Sequence, residues 1–262
     1  MLSMYHTCEI VKNVLLCDGY MRMTIEDPEI ARSVLPGQFV MTKCLAPGSP
    51  FFMRPFSINS ADEQAGTIDI LYKLVGKGTT VMADMQLGAR IGVLAPLGNG
   101  FSLQAQYRSI ALLGRGVGAA PMRFLAEYAG KRGVTVYVML SASSEEQLFD
   151  KRIYDEMTNV HLYTTTDPNL IVTDHLAEML SKIQIDAAYT CGSRRVMKKL
   201  LELEKRYKLH CYASLEEHMA CGTGACHGCS FSITDENEEN IEVRVCKEGP
   251  VFPLEKAVKF YV

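Results

Sequence analysis

Four cysteines in the C-terminal fifth of the chain constrain its fold and chemistry most. They follow a C-x4-C-x2-C spacing with a fourth member further on: Cys221, Cys226, Cys229 and Cys246. This order is typical of the thiolate ligands of a [2Fe–2S] cluster. Residues 222–225 are small, so a loop could wrap closely around a cluster and direct backbone N–H groups at its sulfurs. Zinc is the alternative, although structural zinc sites favour two C-x2-C pairs. The pattern predicts an iron–sulfur protein that moves single electrons.

Composition excludes several classes of protein. The chain has 262 residues, 48% of them apolar, which is enough for two or three domains. A net charge of −3 gives no basic patch for nucleic acid, and no apolar run approaches the ~18 residues of a membrane span. The first residues are interpreted as a strand rather than a leader, and nine cysteines, an odd number, fit a reducing cytoplasm. Four of the others are expected to be small buried hydrophobes: Cys8, Cys17, Cys44 and Cys211.

Three zones of different pattern predict an α+β multidomain chain. Residues 1–102 read as short strands broken by turns, which predicts an antiparallel β-barrel. Residues 103–212 alternate apolar strands with helices, which predicts a doubly wound parallel α/β sheet. Residues 213–262 carry the cysteines, and the acidic stretch 235–242 is interpreted as a solvated hairpin turn. The predicted strands are 9–16, 20–25, 38–44, 67–73, 90–94, 109–113, 134–140, 160–164, 187–190 and 209–212, and the predicted helices are 121–131, 173–183 and 193–207.

A glycine-rich turn is the second candidate site. Gly114, Gly116 and Gly118 follow the predicted strand 109–113 and open a helix. In that position glycines let the backbone approach a pyrophosphate, and the helix N-terminus supplies N–H donors. A tight strand-to-helix turn without any ligand is the alternative. The acidic residue expected ~20 positions later is missing, so the sequence does not separate NAD from NADP.

A third candidate site lies in the barrel region. Arg54-Pro55-Phe56-Ser57 is interpreted as the end of one strand, and another strand ends in Leu71-Tyr72-Lys73 shortly before Gly78 and Thr79. Arginine offers a fork of donors for a pyrophosphate, tyrosine an aromatic face, and the Gly-Thr turn N–H and hydroxyl donors. Together these residues could hold a flavin nucleotide, whereas singly each fits an ordinary strand end or helix cap.

The order of these motifs resembles a known family. Barrel with RPFS, sheet with GRGVGAAP, and then SLEEHMACGTGACHGC and VCKEGPVF are similar to the electron-transfer subunits of two-subunit, NAD-linked dihydroorotate dehydrogenases, within the ferredoxin-reductase group. The resemblance spans essentially the whole chain. It implies FAD in the barrel, NAD on the sheet and [2Fe–2S] in the C-terminal part. It also implies docking on an FMN-bearing catalytic subunit of pyrimidine biosynthesis, as an α2β2 heterotetramer.

Site residues carry over position by position. The resemblance implies that FAD contacts Arg54, Pro55, Phe56, Ser57, Leu71, Tyr72, Lys73, Gly78 and Thr79. It implies that the dinucleotide faces Gly114, Gly116 and Gly118, with Cys191 near the nicotinamide; an inert buried thiol is the alternative for Cys191. Electrons would pass from dihydroorotate to FMN in the partner, then through the cluster to FAD and on to NAD⁺. No residue of this chain is assigned a catalytic role.

Two departures from the family pattern concern the nicotinamide. Arg115 stands where a third glycine is usual, and could either contact a phosphate or fill its place. The stretch 165–172 is shorter than usual and lacks glycines. Alternatives therefore stay open: a paralogous subunit of another FMN oxidoreductase, a self-contained NAD(P)H reductase, or a zinc-stapled binding module without flavin. His227 and the pair Glu216-Glu217 are interpreted as structural or partner-facing, the glutamates being an acid/base pair only if a pocket lies beside them.

Overall fold

The N-terminal part of the chain is a closed antiparallel barrel. The computed structural model describes residues 4–46 and 48–261, with side chains to residue 257 in the last helix. Six strands close in the order β1-β2-β5-β4-β3-β6, which confirms the predicted barrel. They are β1 (Met4–Cys17), β2 (Tyr20–Glu26), β3 (Phe39–Cys44), β4 (Arg54–Asp62), β5 (Thr67–Lys73) and β6 (Arg90–Leu97), with the short helices α1 (Pro28–Ser33) and α2 (Lys77–Ala83) between them.

The side chains of strand β3 point alternately into the barrel core and out of the barrel wall. Val40 and Cys44 lie in the barrel core, and the Thr42 hydroxyl contacts the Met82 sulfur there at 3.7 Å. Met41 instead belongs to a second apolar core, shared with the C-terminal half of the chain. Because successive side chains of a strand point to opposite faces, Phe39, Met41 and Lys43 form the outer face of β3.

The second unit is a six-stranded sheet in the order β14-β11-β10-β7-β8-β9. Its strands are β7 (Ser109–Arg115), β8 (Thr135–Ser141), β9 (Val160–Thr165), β10 (Ala187–Cys191), β11 (His210–Ser214) and β14 (Val251–Pro253). Its helices are α3 (Ala120–Gly130), α4 (Lys151–Glu156), α5 (Val172–Leu180) and α6 (Arg194–Tyr207). Strand β7 is followed outward by β8 and β9 on one side and by β10 and β11 on the other. The crevice of this doubly wound sheet therefore opens between the carboxyl ends of β7 and β10.

The C-terminal segment leaves the sheet and returns to it. Strand β11 runs across the predicted domain boundary at residue 212, and its last residue, Ser214, pairs with Val251 of antiparallel β14. Between them lie the cysteines and a hairpin of β12 (Ser230–Thr234) and β13 (Asn240–Arg244), and α7 (Leu254–Tyr261) follows. The acidic turn is shorter than predicted because β13 begins at Asn240, and the exact domain division remains a prediction. Among the described helices, none has the length and apolar character needed to cross a bilayer.

The barrel and the sheet meet through buried charges, which we call the charged interface. Asp150, whose side chain is 4% exposed, pairs with Arg22 of β2 at 2.5 Å. Arg123 of α3 lies 3.7 Å from Asp150, 3.5 Å from Asp69 of β5 and 2.8 Å from Glu127. Burial raises the pKa of Glu127, which Arg123 partly offsets. Opposite charges in these close contacts fix the start of α3 relative to the barrel.

The barrel meets the cysteine segment through close apolar packing, which we call the apolar interface. Gly222 has a φ of +70°, and a β-carbon there would lie 2.5 Å from Cγ of Met41 and 3.2 Å from Cδ1 of Leu97. Next to it, the backbone N–H of Asn99 donates to the carbonyl of Gly249 at 2.6 Å. Only glycine permits this approach, so the loop rests directly on the outer face of β3.

Candidate cofactor sites

A cavity of about 710 Å³ lies between the barrel and the sheet. Its walls include residues from β4, β5, the start of α2, the end of β10 and the chain after β11. All nine residues predicted for FAD line it, and Cys191 lies in the same wall: Arg54, Pro55, Phe56, Ser57, Leu71, Tyr72, Lys73, Gly78, Thr79 and Cys191. Its volume is typical of ligand sites, and it opens at the crevice of the sheet.

Arg54 and the start of α2 form the polar end of this cavity. The Arg54 guanidinium donates to the carbonyl of Phe52 at 2.8 Å, and a β-carbon on Gly78 would stand 3.0 Å from its Nε. Glycine therefore leaves room for the arginine beside the helix start. The Thr79 hydroxyl accepts from the N–H of Val75 at 3.0 Å and donates to the carbonyl of Gly76 at 3.0 Å. Thr79 thus holds the turn itself, whereas the sequence suggested a donor for a ligand.

Two aromatic rings form the barrel wall of the cavity. Tyr72 is 1% exposed, and its hydroxyl donates to Asn13 at 3.1 Å. Burial raises the pKa of Tyr72, so its hydroxyl stays protonated. Phe56 packs on it with ring centroids 5.7 Å apart and is half-buried. Both rings are among the residues predicted for FAD, and of the two Phe56 is the more open to a ligand.

The opposite wall carries a contact between a thiol and a carboxyl group that sequence patterns did not reveal. Cys191 ends β10 and is 2% exposed, and its sulfur lies 3.8 Å from a carboxyl oxygen of Glu216. Burial raises the pKa of the Cys191 thiol well above its usual range, and Glu216 adds to the effect. Glu216 opens into the cavity, yet the surrounding protein raises the pKa of its carboxyl as well. Parallel pairing of Cys191 with Ser214 brings them together, a contact that no local pattern signals.

The glycines of the strand-to-helix turn pack against the protein itself. A β-carbon on Gly118 would lie 2.5 Å from the carbonyl oxygen of Cys191, and one on Gly114 would lie 2.8 Å from Cα of Ala119. Gly116, at φ +53°, begins one turn of 3₁₀ helix over Gly116–Ala119. Of this turn and the helix it opens, Val117 and Ala120 line the cavity, and none of the three glycines is among its lining residues. Arg115 is exposed at the end of β7.

The four cysteines lie on one loop and its neighbouring strand end. Cys226 is exposed and Cys221 half-buried, whereas Cys229 and Cys246 are buried. Backbone N–H groups point at three of the sulfurs, at 3.4 to 3.5 Å: Thr223 and Cys226 to Cys221, Gly228 to Cys226, and Cys246 to Cys229. Among the described residues, no group of three or more His, Cys, Asp or Glu side chains is set for a lone metal ion.

The chemistry of these donors fits a cluster. Burial alone would raise the pKa of the Cys221 thiol, but N–H donors from Cys226 and Thr223 outweigh it and lower the pKa to about 6. A thiol of this kind is a thiolate at neutral pH, which is the form that ligates iron. His227 is exposed beside it with a φ of +58°. The cluster could therefore be held by Cys221, Cys226, Cys229 and Cys246 with N–H groups directed at its sulfurs.

The outer face of β3 connects the two sites. Phe39 lines the cavity, Met41 packs under Gly222 of the cysteine loop, and the Lys43 ammonium lies 5.3 Å from the ring centroid of Phe51. These positions are two residues apart, so each step along the strand covers about 7 Å. Cavity, cysteine loop and an exposed aromatic pair, Phe51 and Phe52, therefore follow one another along a single strand face.

Comparison with family models assigns both ends of the chain. Residues 8–101 match the oxidoreductase FAD-binding domain. Residues 216–258 match the iron-sulfur cluster binding domain of dihydroorotate dehydrogenase B. The first match covers the barrel, and the second contains the four cysteines.

Similar proteins match over most of their length. The electron transfer subunit of dihydroorotate dehydrogenase B (NAD(+)) from Geobacillus sp. is 35% identical over 85% of this chain and 86% of its own. That from Enterococcus faecalis is 31% identical over 95% of this chain and 96% of its own. A solved NADH-dependent reduced ferredoxin-NADP oxidoreductase shares the fold, with a TM-score of 0.81 and 24% identity over 96% of this chain and 89% of that one.

Proposed function

The chain belongs to the electron-transfer subunits of NAD(+)-linked dihydroorotate dehydrogenase B, and from that premise we propose that it carries electrons between FAD and a [2Fe–2S] cluster on the way between a catalytic FMN subunit and NAD. One observation carries the proposal: the outer face of β3 joins the cavity to the cysteine loop over about 7 Å. A lone binding module would have no need of that proximity.

The residues of the cavity hold and orient the flavin. Arg54 places its guanidinium at the turn before α2, and Phe56 offers a ring face, while Ser57 lies opposite Phe39 in the barrel ladder. At the far wall the Cys191 thiol keeps its proton because burial raises its pKa well above the usual range, and the Glu216 carboxyl beside it also has a raised pKa. Once bound, the flavin exchanges electrons in pairs and the cluster passes them singly.

The nicotinamide dinucleotide is proposed to approach from the sheet. Cys191 is small and stands at the carboxyl end of β10, where the crevice opens beside the cavity. Gly118 lets the turn after β7 approach that same strand end, and Gly114 packs on Ala119, so these two glycines shape the crevice by packing while Gly116 leaves open space for the dinucleotide. Arg115 is exposed at the rim of the crevice, and a guanidinium at that position suits contact with a phosphate.

The proposed electron transfer is tested with this chain and an FMN subunit combined in one complex. The chain is coexpressed with an FMN subunit that oxidises dihydroorotate, and dihydroorotate-dependent NAD⁺ reduction is followed at 340 nm. Cys226→Ser, at the exposed ligand, is expected to abolish transfer between the subunits while FAD binding persists. Cys17→Ser, at a half-buried cysteine of the barrel, is the matched control and is expected to retain full activity.

Two results would contradict the relay. Undiminished transfer in Cys226→Ser would exclude the cluster from the path. Rapid NADH-driven reduction of diffusible acceptors by the isolated chain, with no gain from the FMN subunit, would instead support a self-contained reductase.

The partner is proposed to dock beside the cluster. Phe51 is 80% exposed and Phe52 58% exposed, with ring centroids 5.3 Å apart, and Leu45 on the same loop is 44% exposed. Exposed aromatic rings are typical anchors of interfaces. They follow the cysteine loop on the outer face of β3, so a partner seated there would also approach exposed Cys226. We assign this surface to the FMN subunit, in an α2β2 heterotetramer in the cytoplasm.

Binding measurements test the docking surface. The double variant Phe51→Ser/Phe52→Ser is expected to weaken association with the FMN subunit about 30-fold, as loss of a two-ring anchor would. The control is Leu87→Ser. Leu87 is 66% exposed and lies in the loop between α2 and β6. Equal affinities of both variants, measured by calorimetry, would place the partner elsewhere.

A further inference from the structure

Arg244 and Glu248 form a two-point ion pair directly behind the cysteine loop. The Arg244 guanidinium reaches Glu248 through Nη2 at 2.5 Å and through Nε at 3.1 Å, and the backbone N–H of Arg244 donates to the same carboxylate at 2.7 Å. Their side chains are 29% and 37% exposed. A fork of this kind fixes the plane of the guanidinium, which a lysine cannot do.

The remaining nitrogen of this guanidinium holds the loop. Nη1 of Arg244 donates to the carbonyl of Gly224 at 3.0 Å. Gly224 has a φ of +85°, and a β-carbon there would lie 3.0 Å from Cβ of Lys247. The backbone N–H of Gly224 lies on the side of Cys246 and acts to lower the pKa of that thiol, which burial raises. The carbonyl of Gly224 is thus held by the arginine while its N–H is left toward a ligand thiol.

The charge of Arg244 also faces the ligands. Arg244 precedes Cys246 by two residues, and Ser230, which pairs with it across the hairpin, directly follows Cys229; Cys229 and Cys246 are the two buried cysteines. One-electron reduction adds one negative charge to a cluster held by these thiolates. A fixed positive charge beside them favours the reduced form, and a fixed negative charge disfavours it.

We propose that Arg244, held in place by Glu248, is a positioning residue that aims the Gly224 N–H at Cys246 and raises the reduction potential of the cluster. The proposal rests on the function proposed above, because it needs a redox-active cluster at these four cysteines. The negative charge of Glu248 lowers the reduction potential of the cluster, so the potential depends on the difference between the two effects.

If the pair has this role, removing the charge of Arg244 and removing that of Glu248 must shift the midpoint potential of the cluster in opposite directions. The full-length, cluster-loaded chain is titrated with dithionite in the presence of redox mediators, and the reduced cluster is followed by electron paramagnetic resonance. Arg244→Gln leaves the Glu248 charge beside the cluster and is expected to lower the midpoint potential. Glu248→Gln leaves the Arg244 charge and is expected to raise it. A tenfold change in the reduction equilibrium corresponds to about 59 mV.

Two further variants, and measurements of cluster content, complete the test. Arg244→Lys keeps the positive charge but loses the two-point contact with Glu248. Its midpoint potential is expected to stay closer to that of the unmodified chain than that of Arg244→Gln does, and its resonance signal is expected to broaden. Lys199→Gln, on the exposed face of α6, changes net charge equally and is expected to leave the potential unchanged. Iron, acid-labile sulfide and the visible spectrum are recorded for every variant.

Two outcomes would overturn the proposal. Shifts of the same sign in Arg244→Gln and Glu248→Gln, or loss of the cluster in both, would make the pair a mechanical clamp only. Unchanged potentials in both variants would remove the pair from the electrostatics altogether. Absence of iron and sulfide in the unmodified chain is a different result, since it contradicts the proposed relay itself.

Discussion

The barrel contacts its two neighbours by opposite means. Toward the sheet it uses the charged interface, where Asp150 is 4% exposed and touches two arginines. Toward the cysteine segment it uses the apolar interface, where Gly222 rests on Met41 and Leu97. Charge pairs fix direction as well as distance, whereas a glycine contact fixes distance alone. The charged interface therefore fixes the orientation of the barrel relative to the sheet, and the apolar interface fixes the distance between the barrel and the cysteine loop.

Breaking the charged interface is expected to have the largest effect. Asp150→Ala leaves the largely buried guanidinium of Arg22 without its carboxylate, while Arg123 keeps Asp69 and Glu127. We expect a loss of about 3–5 kcal/mol in the free energy of unfolding, because an uncompensated buried charge is costly. Urea unfolding of the flavin-loaded chain, followed by circular dichroism, measures it.

A neighbouring surface pair provides the control. Lys151 and Glu145 are 2.9 Å apart but 39% and 64% exposed. Glu145→Ala is expected to cost less than about 1 kcal/mol. If both variants lost the same stability, burial would not distinguish the charged interface from an ordinary surface pair.

Filling the apolar interface is expected to have an intermediate effect. Gly222→Ala adds a β-carbon 2.5 Å from Met41 at a φ of +70°. Backbone strain and overpacking together predict a loss of about 2–4 kcal/mol and a cluster loop displaced from β3. Thermal unfolding and the iron content of the purified chain report the two consequences.

Gly19 separates strain from packing. It has a φ of +75° but nothing within 4 Å of its β-carbon position. Gly19→Ala is therefore expected to cost only the strain, about 1–2 kcal/mol, with full iron content. Equal losses at positions 19 and 222 would mean that close packing contributes nothing to the apolar interface.

An unpaired carboxylate on the far side of the sheet is expected to have the smallest effect. Glu204 of α6 accepts the N–H of Cys211 at 2.9 Å, but its second oxygen has no partner among the described residues. Burial raises the pKa of Glu204 from an ordinary 4.5 to about 7. The folded chain holds this proton more tightly than the unfolded chain, so stability falls as pH rises from about 4.5 to about 7.

Glu204→Gln removes that pH dependence. At pH 8 the variant is expected to be more stable by about 1–2 kcal/mol, allowing for partial exposure, and at pH 4 equal to the unmodified chain. Melting temperatures across this range measure the effect. If the melting temperatures of the variant and the unmodified chain differed by the same amount at every pH, the pKa of Glu204 would be the same in the folded and unfolded chain. Paired and unpaired carboxylates would then behave alike in this molecule.

The fold was largely predictable because its signals are local. Strand β5 spans the predicted residues 67–73, and the alternation of strands and helices gave the parallel sheet. Helix α1 was missed although Asp27 caps it and Pro28 begins it, both usual start signals. Strand β14 was missed because three residues carry no period, and pairing with β11 alone makes them a strand.

The candidate sites were predictable only where contacts are close in sequence. The cysteine spacing and the RPFS strand are local patterns, and the structure places both beside β3. Glu216 reaches Cys191 only through pairing of β10 with β11, so the sequence left its role open. The three glycines of the turn predict a phosphate site in sequence, and that remains a prediction: Ala119 fills the space beside Gly114 and the end of β10 that beside Gly118, whereas Gly116 has only the Tyr20 hydroxyl, 3.7 Å away.

The pairing of Ser214 with Val251 has a consequence for how such a protein can be engineered or can evolve. The whole cysteine-bearing stretch, 215–250, departs and returns at one rung of a β-ladder. Two strands that neighbour each other can be joined by a turn of two residues. The stretch can therefore be removed or added at one point: a single excision would leave a hairpin at the edge of the barrel and sheet but would also remove the cavity wall that carries Glu216, and a single insertion would supply that wall and the cluster ligands together.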